Sequence, residues 1–228
     1  MSSKGPIHLE NREKTGARLF SPTAARNKAP IGEVISQYIP QGASVLEIAS
    51  GTGEHGAYMC GLRPDIKWQP SDPNSESRAS QDDWASECSG RMLASLSIDT
   101  TQPDWTDYLP AYDVIYCANM IHIAPWEAAL GLVNGAGKLL DENSIFILYG
   151  PFLEGSETAE SNLRFDTNLK SRNSSWGVRN LDVVKHIFSE AGFTHKARIV
   201  MPKENRTLIF TKSPVSYTHL TLPTICSV

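Results

Sequence analysis

The sequence lacks the features that would place the protein in a membrane, a secretory pathway or a disulfide-stabilised class. No apolar run reaches the roughly 18 residues that a membrane-spanning helix needs, and the first sixteen residues, MSSKGPIHLENREKTG, are too polar for a secretory signal. Only four cysteines occur in 228 residues, and none forms a C-x-x-C pair. Scattered cysteines favour reduced thiols over a disulfide framework or a zinc site, so we expect a cytoplasmic or nuclear protein that holds no metal.

The sequence also lacks an excess of charge of either sign. The net charge is −4 at pH 7, from 21 basic and 25 acidic residues. A weakly acidic chain is a poor general binder of nucleic acid, because nucleic-acid affinity comes largely from the phosphate backbone. Hydrophobic residues make up 40% of the chain, which is ordinary for a soluble globular protein with an α/β core.

Strand and helix patterns alternate along the chain, which predicts a Rossmann-like doubly wound sheet of seven strands. The sheet should be mostly parallel, with one antiparallel strand from a C-terminal hairpin. We expect a flexible segment over residues 1–24 and one domain over 25–213. The predicted strands span 44–49, 66–71, 93–98, 112–118, 144–149, 194–201 and 206–212, and the predicted helices span 30–39, 54–62, 76–88, 125–140 and 181–191.

A glycine-rich loop follows the first predicted strand, where ligands bind in sheets of this kind. The segment EIASGTGEHG, residues 47–56, has glycines in G-x-G-x-x-G spacing, a weak signal by itself. Gly51 and Gly53 allow a ligand to approach the backbone closely, although such glycines can also serve only as turn formers. Glu47 would repel a pyrophosphate but attract the ammonium and sulfonium groups of S-adenosylmethionine. The loop therefore favours this cofactor over NAD.

Two more acids follow predicted strands. Asp72 lies at the end of the second strand, where a carboxylate can accept both hydroxyl protons of a ribose. Asp99 comes just after the third strand. The alternative interpretation of Asp99 is a turn or a helix N-cap, because Asp is favoured at both.

The loop resembles motif I of class I S-adenosylmethionine-dependent methyltransferases, acid-x-Gly-x-Gly-x-Gly, with Ala49 in place of the first glycine. The whole chain is similar to the methyltransferase-like protein 26 family, whose members are uncharacterised. The resemblance lies in ARNKAPI (25–31), VLEIASGTGEH (45–55), WQPSDPN (68–74), CANMIHIAPW (117–126), LYGPF (148–152), SNLRFDTNLKSRNSSWGVRN (161–180) and MPKENRTLIF (201–210).

This resemblance implies a site for S-adenosylmethionine. Glu47 would hold the amino group of the cofactor, directly or through water. Asp72 would take the ribose hydroxyls, and Asp99 would accept from the adenine amino group. The remaining implied contacts are Ala49, Gly51 and Gly53 under the methionine and ribose, and Asn119 and Met120 at the methyl-transfer end.

The methyl acceptor is not specified by the sequence. Residues 119–122 lack the Asn/Asp-Pro-Pro-aromatic pattern of enzymes that methylate nucleic-acid amino groups, so a small-molecule or protein acceptor is favoured. His122 is a candidate general base because imidazole titrates near neutral pH, and Asn119 is a second catalytic candidate. The alternative for His122 is a capping or core histidine before the next helix.

The segment 161–180 is a candidate acceptor site. Its arginines and tryptophan can clamp a carboxylate or phosphate and stack on an aromatic group. The alternative is a solvated helix face with ion pairs at i, i+4 spacing, such as Asp166 with Lys170. The candidate acceptor-binding residues are Arg164, Arg172, Trp176 and Arg179.

The two ends of the chain carry separate predictions. Arg18, Arg26 and Asn27 can belong to a lid over the cofactor, the alternative being a disordered tail. The last residues, PVSYTHLTLPTICSV (214–228), resemble the peptide made when sequencing-adapter DNA is translated, so we interpret them as a read-through tail.

Two functions follow from these observations. The first is an active S-adenosylmethionine-dependent methyltransferase. The second is a methyltransferase-like module that binds the cofactor or a partner without catalysis. An NAD-dependent enzyme is disfavoured by Glu47.

Overall fold

The computed structural model describes residues 11–214. Residues 1–10 and 215–228 lie outside the described part, and with them all of the predicted read-through tail except Pro214. No helix between residues 11 and 214 combines the length and apolar character that crossing a bilayer requires.

One sheet of seven strands carries the fold, and its order is β4–β3–β5–β6–β9–β8, with the short β7 paired to β6. Strands β4, β3, β5 and β6 are parallel, whereas β9 runs antiparallel to both of its neighbours. This arrangement confirms the predicted fold class, with a mostly parallel sheet and an antiparallel strand from a C-terminal hairpin, although the seventh strand is β7 and not the predicted strand at 93–98. The strands are β1 (Glu13–Thr15), β2 (Arg18–Phe20), β3 (Ser44–Ile48), β4 (Lys67–Pro70), β5 (Tyr112–Ala118), β6 (Leu140–Leu153), β7 (Arg179–Asn180), β8 (Phe193–Met201) and β9 (Asn205–Lys212).

Helices pack on both faces of the sheet and bury an apolar layer on each. Along β3, Val45 belongs to the layer under the first two helices, whereas Leu46 and Ile48 belong to the opposite layer. Alternation along the strand therefore directs Glu47 to the same face as Val45. The helices are α1 (Pro22–Ile35), α2 (Glu54–Leu62), α3 (Ser75–Ala85), α4 (Trp126–Leu139), α5 (Glu160–Arg172) and α6 (Leu181–Glu190).

The strand predicted over 93–98 is wrong, because the chain here forms only two isolated bridges, Met92 with Trp68 of β4 and Leu96 with Ser71 just after β4. Residues 93–98 cannot form a continuous ladder of backbone hydrogen bonds with β4. Pro70 has no N–H to donate, and the carbonyl of Ala94 accepts instead from the Gln69 side chain at 2.6 Å.

The N-terminal part also differs from its prediction. Residues 13–20 form a hairpin rather than an irregular segment, and the first helix spans 22–35 instead of 30–39. Ser21 caps this helix by accepting from the N–H of Ala24, and Pro22 occupies its first turn. Ser-Pro is a helix-start signal, which the apolar periodicity of residues 31–39 obscured.

Gly56 lets α2 lie against the buried Trp68. A Cβ at Gly56 would meet the Trp68 ring at 2.7 Å, whereas a Cβ at Gly61 on the same helix would meet nothing within 4 Å. We expect Gly56→Ala to lower the free energy of unfolding by about 1–3 kcal/mol through overpacking. Gly61→Ala, the matched control, should raise it by up to about 1 kcal/mol through helix propensity. Urea unfolding of both variants checks this, and equal effects at the two positions would contradict the packing.

Candidate cofactor and methyl-transfer site

The loop after β3 adopts left-handed backbone at Ala49, Gly51 and Gly53, with φ of 58°, 56° and 89°. For an alanine this conformation costs about 1 kcal/mol, because Cβ crowds the carbonyl oxygen. Ala49 therefore keeps the backbone path that a glycine would take at the first glycine position of the motif. Strain of this kind concentrates at functional sites.

Asp72 lies against this loop and is 8% exposed. One carboxylate oxygen accepts from the N–H of Gly51 at 3.0 Å, and the other accepts from the N–H of Asn74 at 2.9 Å. Burial raises the pKa of Asp72, while these two bonds and the charges of Arg12 and Arg78 act against the rise. Each oxygen keeps further acceptor capacity, so the carboxylate can also take the two hydroxyls of a ribose.

Glu47 has a partner inside the protein. It is 2% exposed, and its carboxylate accepts from the Trp68 indole N–H at 2.9 Å. Burial raises the pKa of Glu47 to about 7, although the hydrogen bond from Trp68 opposes the rise. The structure therefore turns this acid toward an interior tryptophan rather than toward an open crevice, and its role toward the cofactor stays a prediction.

His55 links the sheet to the first helix. Its Nδ1 accepts from the Tyr116 hydroxyl at 3.2 Å, and its Nε2 donates to Asn27 Oδ1 at 2.9 Å. The Glu47 carboxylate lies 4.0 Å from Nδ1. Burial lowers the pKa of His55 to about 4, so the ring is neutral at pH 7. Sequence reasoning missed this residue, whose only signal was its place after the glycine loop.

The N-terminal arm, residues 11–28, is anchored on the same loop. Glu54 accepts from the Ser21 N–H at 2.7 Å and from the Thr52 hydroxyl at 3.0 Å. Arg12 Nη2 lies 3.4 Å from where a Cβ on Gly51 would be, so the arm does reach the loop.

The three residues predicted to form a lid have separate positions in this arm. Arg18 pairs with Asp83 and Glu87 beside α3. Arg26 is exposed and donates to the Thr23 hydroxyl, whereas Asn27 bonds to His55.

Asn119 and His122 meet at Gly150, beyond the carboxyl ends of β5 and near the end of β6. A Cβ on Gly150 would lie 2.4 Å from His122 Nε2 and 3.6 Å from Asn119 Oδ1. His122 is 1% exposed, and neither ring nitrogen has a hydrogen-bond partner within residues 11–214. Burial lowers the pKa of His122 to about 3, the charge of Arg179 adds to this, and the Gly177 backbone opposes it. The imidazole is therefore neutral at pH 7, and one of its ring nitrogens carries a lone pair.

Two other predicted cofactor contacts have different surroundings. Met120 is buried beside Asn119, whose backbone is also left-handed, with φ of 61°. Asp99 is exposed and accepts from the N–H of Thr101 at 3.0 Å and from its hydroxyl at 2.7 Å. This is the turn that the alternative interpretation described, and contact with adenine stays a prediction.

The predicted acceptor-binding segment forms α5 and the loop after it. Arg164 pairs with Glu160, and Lys170 with Asp166, each at 2.6 Å, which are the i, i+4 pairs of the alternative interpretation. Arg172 is exposed at the end of α5, and Trp176 is half-buried in the loop. Arg179 donates to backbone carbonyls at Ile121, Ala124 and Ser175.

The fold is similar to that of Rossmann-like methyltransferases. An O-methyltransferase family protein from Burkholderia thailandensis superposes with a TM-score of 0.72 at 15% identity, over 84% of this chain and 58% of that one. Human N-acetylserotonin methyltransferase, solved in complex with SAM, gives 0.70 at 13% identity, over 84% and 53%. CalO1, a methyltransferase in calicheamicin biosynthesis solved in its SAH-bound form, gives 0.70 at 13%, over 84% and 54%.

The chain thus spans little more than half the length of these solved relatives. By sequence, residues 18–212 match the family model DUF938, which is described as a protein of unknown function. The chain belongs to that family.

Glu47 should make stability fall as pH rises. Its folded pKa of about 7 lies above the value of 4.5 for an unperturbed carboxyl, so the folded chain holds a proton that the unfolded chain releases. The contribution of Glu47 to the free energy of unfolding is fully present below pH 4.5. As pH rises through 7, the free energy of unfolding falls by about 3 kcal/mol because this contribution is lost. We expect Glu47→Gln to remove this part of the slope.

The measurement is the free energy of unfolding in urea between pH 4.5 and 8. Glu33→Gln, on an exposed carboxyl of α1, is the control and should follow the parent protein. Parallel curves for Glu47→Gln and the parent would show that Glu47 is not held protonated by burial.

Proposed function

We propose that this protein is an S-adenosylmethionine-dependent methyltransferase that acts on a hydroxyl of a small molecule or a protein. The observation that carries the proposal is the presence of two polar clusters at one sheet edge. The Gly51 N–H donates to Asp72 after β3 and β4, where a ribose would bind, and the side chains of Asn119 and His122 converge at Gly150 after β5. Relatives of the same fold include O-methyltransferases, which supports the hydroxyl acceptor.

The residues present fit the cofactor. Asp72 offers acceptor oxygens for the ribose hydroxyls, and Gly51 leaves the loop without a side chain at that point. S-adenosylmethionine supplies an activated methyl group when bound, so the protein needs only to align the acceptor and remove a proton. Asn119 can orient the acceptor hydroxyl through its side-chain oxygen, which lies beside Gly150.

His122 is the proposed proton acceptor. Its depressed pKa keeps the ring neutral above about pH 3, so a lone pair is present throughout the physiological range. A base this weak suits a proton that leaves late, because a hydroxyl oxygen becomes strongly acidic once it carries the methyl group. His122 would then hold that proton until it passes to solvent.

Two narrower assignments accompany this proposal. We place the chain with the methyltransferase-like protein 26 family, and the support is the set of motifs quoted above, which fall on the glycine loop, on Asp72 and on Asn119 to Trp126. We also propose a cytoplasmic location, for which the support is the scattered, unpaired cysteines; Cys60, Cys88 and Cys117 are buried free thiols.

Calorimetric titration with S-adenosylmethionine tests the cofactor. We expect micromolar binding to the parent protein, at least tenfold weaker binding to Asp72→Asn, and no binding of NAD. The reason is that Asp72→Asn removes the charge and one acceptor from the ribose site. Asp99→Asn separates the two interpretations of that residue, since weaker binding would support the adenine contact.

The same titration can refute the proposed methyltransferase function. A parent protein that binds no S-adenosylmethionine would overturn the proposal and leave the catalytically silent, partner-binding module. Binding that Asp72→Asn does not weaken would place the cofactor elsewhere.

Substitution of His122 tests whether this residue is the proton acceptor. With an acceptor found by screening hydroxyl compounds and proteins with labelled methyl, His122→Asn should lower kcat about 10²-fold, the lower end for a general base, because the low pKa of His122 makes it a weak one. Affinity for S-adenosylmethionine should stay within about threefold, since Asp72 and Gly51 are unchanged. An unchanged kcat would assign His122 to the core.

A further inference from the structure

We infer that Arg179 is a positioning residue for His122 and does not bind the acceptor. This inference rests on the proposed function, because it concerns the group proposed as the base. The guanidinium donates from Nε to the Ile121 carbonyl and from Nη2 to the Ala124 carbonyl, both at 2.8 Å. These two carbonyls lie on either side of His122 in the chain.

The loop that carries Arg179 also holds the backbone of His122 itself. The N–H of Gly177 donates to the His122 carbonyl at 3.0 Å. The loop is fixed in turn, because the N–H of Val178 donates to Asp166 on α5 at 2.9 Å. Three carbonyls between residues 121 and 124 thus accept from residues 177–179.

These contacts matter because the imidazole is weakly anchored. Neither ring nitrogen makes a hydrogen bond of normal geometry within residues 11–214, although the Gly177 backbone lies near enough to raise the pKa of His122. The ring is therefore placed mainly by its backbone and by packing. The packing consists of an edge contact to Phe152, at 5.5 Å between centroids, and of the close approach to Gly150. A shift of the 120–124 backbone would therefore move the imidazole directly.

The contacts of Arg179 depend on the shape of its guanidinium, so another cationic side chain cannot replace them. Its planar fork reaches Ile121 and Ala124 at once, and Nη2 also reaches the Ser175 carbonyl at 3.0 Å. The guanidinium lies 5.3 Å from the centroid of the Trp126 ring, at the start of α4. A lysine keeps the charge but presents one ammonium, so it cannot repeat the fork.

The test compares Arg179→Lys and Arg179→Met with Arg164→Met. Arg164 is the matched control, because it is an exposed arginine of the same segment whose guanidinium pairs with Glu160, away from His122. The readout that needs no acceptor is the ring ¹H–¹⁵N spectrum of His122 at pH 7. We expect both Arg179 variants to shift the His122 signals and Arg164→Met to leave them in place.

The two Arg179 variants also separate position from charge. Both should move the ring, whereas only Arg179→Met removes the charge that lowers the pKa of His122. The pKa should therefore rise more in Arg179→Met than in Arg179→Lys. Affinity for S-adenosylmethionine should stay within about threefold in both, since neither variant touches Asp72 or Gly51.

With an acceptor in hand, a positioning residue and a binding residue differ in kinetics. Misplacing the base should lower kcat about 10- to 100-fold with little change in KM. A raised KM with kcat unchanged would overturn the inference and return Arg179 to acceptor binding. So would a His122 spectrum in Arg179→Lys identical to that of the parent. Failure of the parent to bind S-adenosylmethionine would overturn the proposed function alone, because the spectrum is read without cofactor.

Discussion

Backbone hydrogen bonds that continue the parallel ladder past its strand ends hold this site together. The N–H of Ser50 donates to the Ser71 carbonyl, and the N–H of Asn119 donates to the Tyr149 carbonyl, both at 2.8 Å. These bonds join the loop after each strand to the neighbouring strand end. They bring Gly51 to Asp72 and bring the Asn119 turn to Gly150. A one-residue shift of β3 against β4 would separate the first pair, and the same shift of β5 against β6 would separate the second, because side chains alternate between faces.

The glycine motif also anchors the N-terminal arm, which its spacing does not predict. Its glycines shape the loop, while the two residues after Gly53 hold the N-terminal arm. Glu54 accepts from the backbone of Ser21, and His55 bonds to Asn27 of α1. The arm is thereby placed so that Arg12 reaches over Gly51. The position of the arm therefore depends on the first turn of α2, where the buried side chains of Glu54 and His55 both have partners.

The sequence could predict the parts of the site that depend on local pattern. Strand ends, the glycine loop and Asp72 follow from periodicity and from the rule that ligands bind beyond the carboxyl ends of parallel strands. It could not predict partners that are distant along the chain, such as Trp68 for Glu47 or Ile121 for Arg179. The strand at 93–98 failed for the same reason, since its ladder depends on Gln69 and Pro70 of the strand beside it.

The burial of His122 bears most directly on function. A core histidine normally finds a partner, because leaving a buried polar group unpaired costs about 1–3 kcal/mol. His55 shows what this fold does with such a residue, since both of its nitrogens are bonded. His122 lies on the opposite face of the sheet, where its ring packs against Phe152 and lies close to Gly150. An unpaired imidazole is therefore a cost to folding at this position, and the Arg179 contacts hold its backbone in place despite that cost.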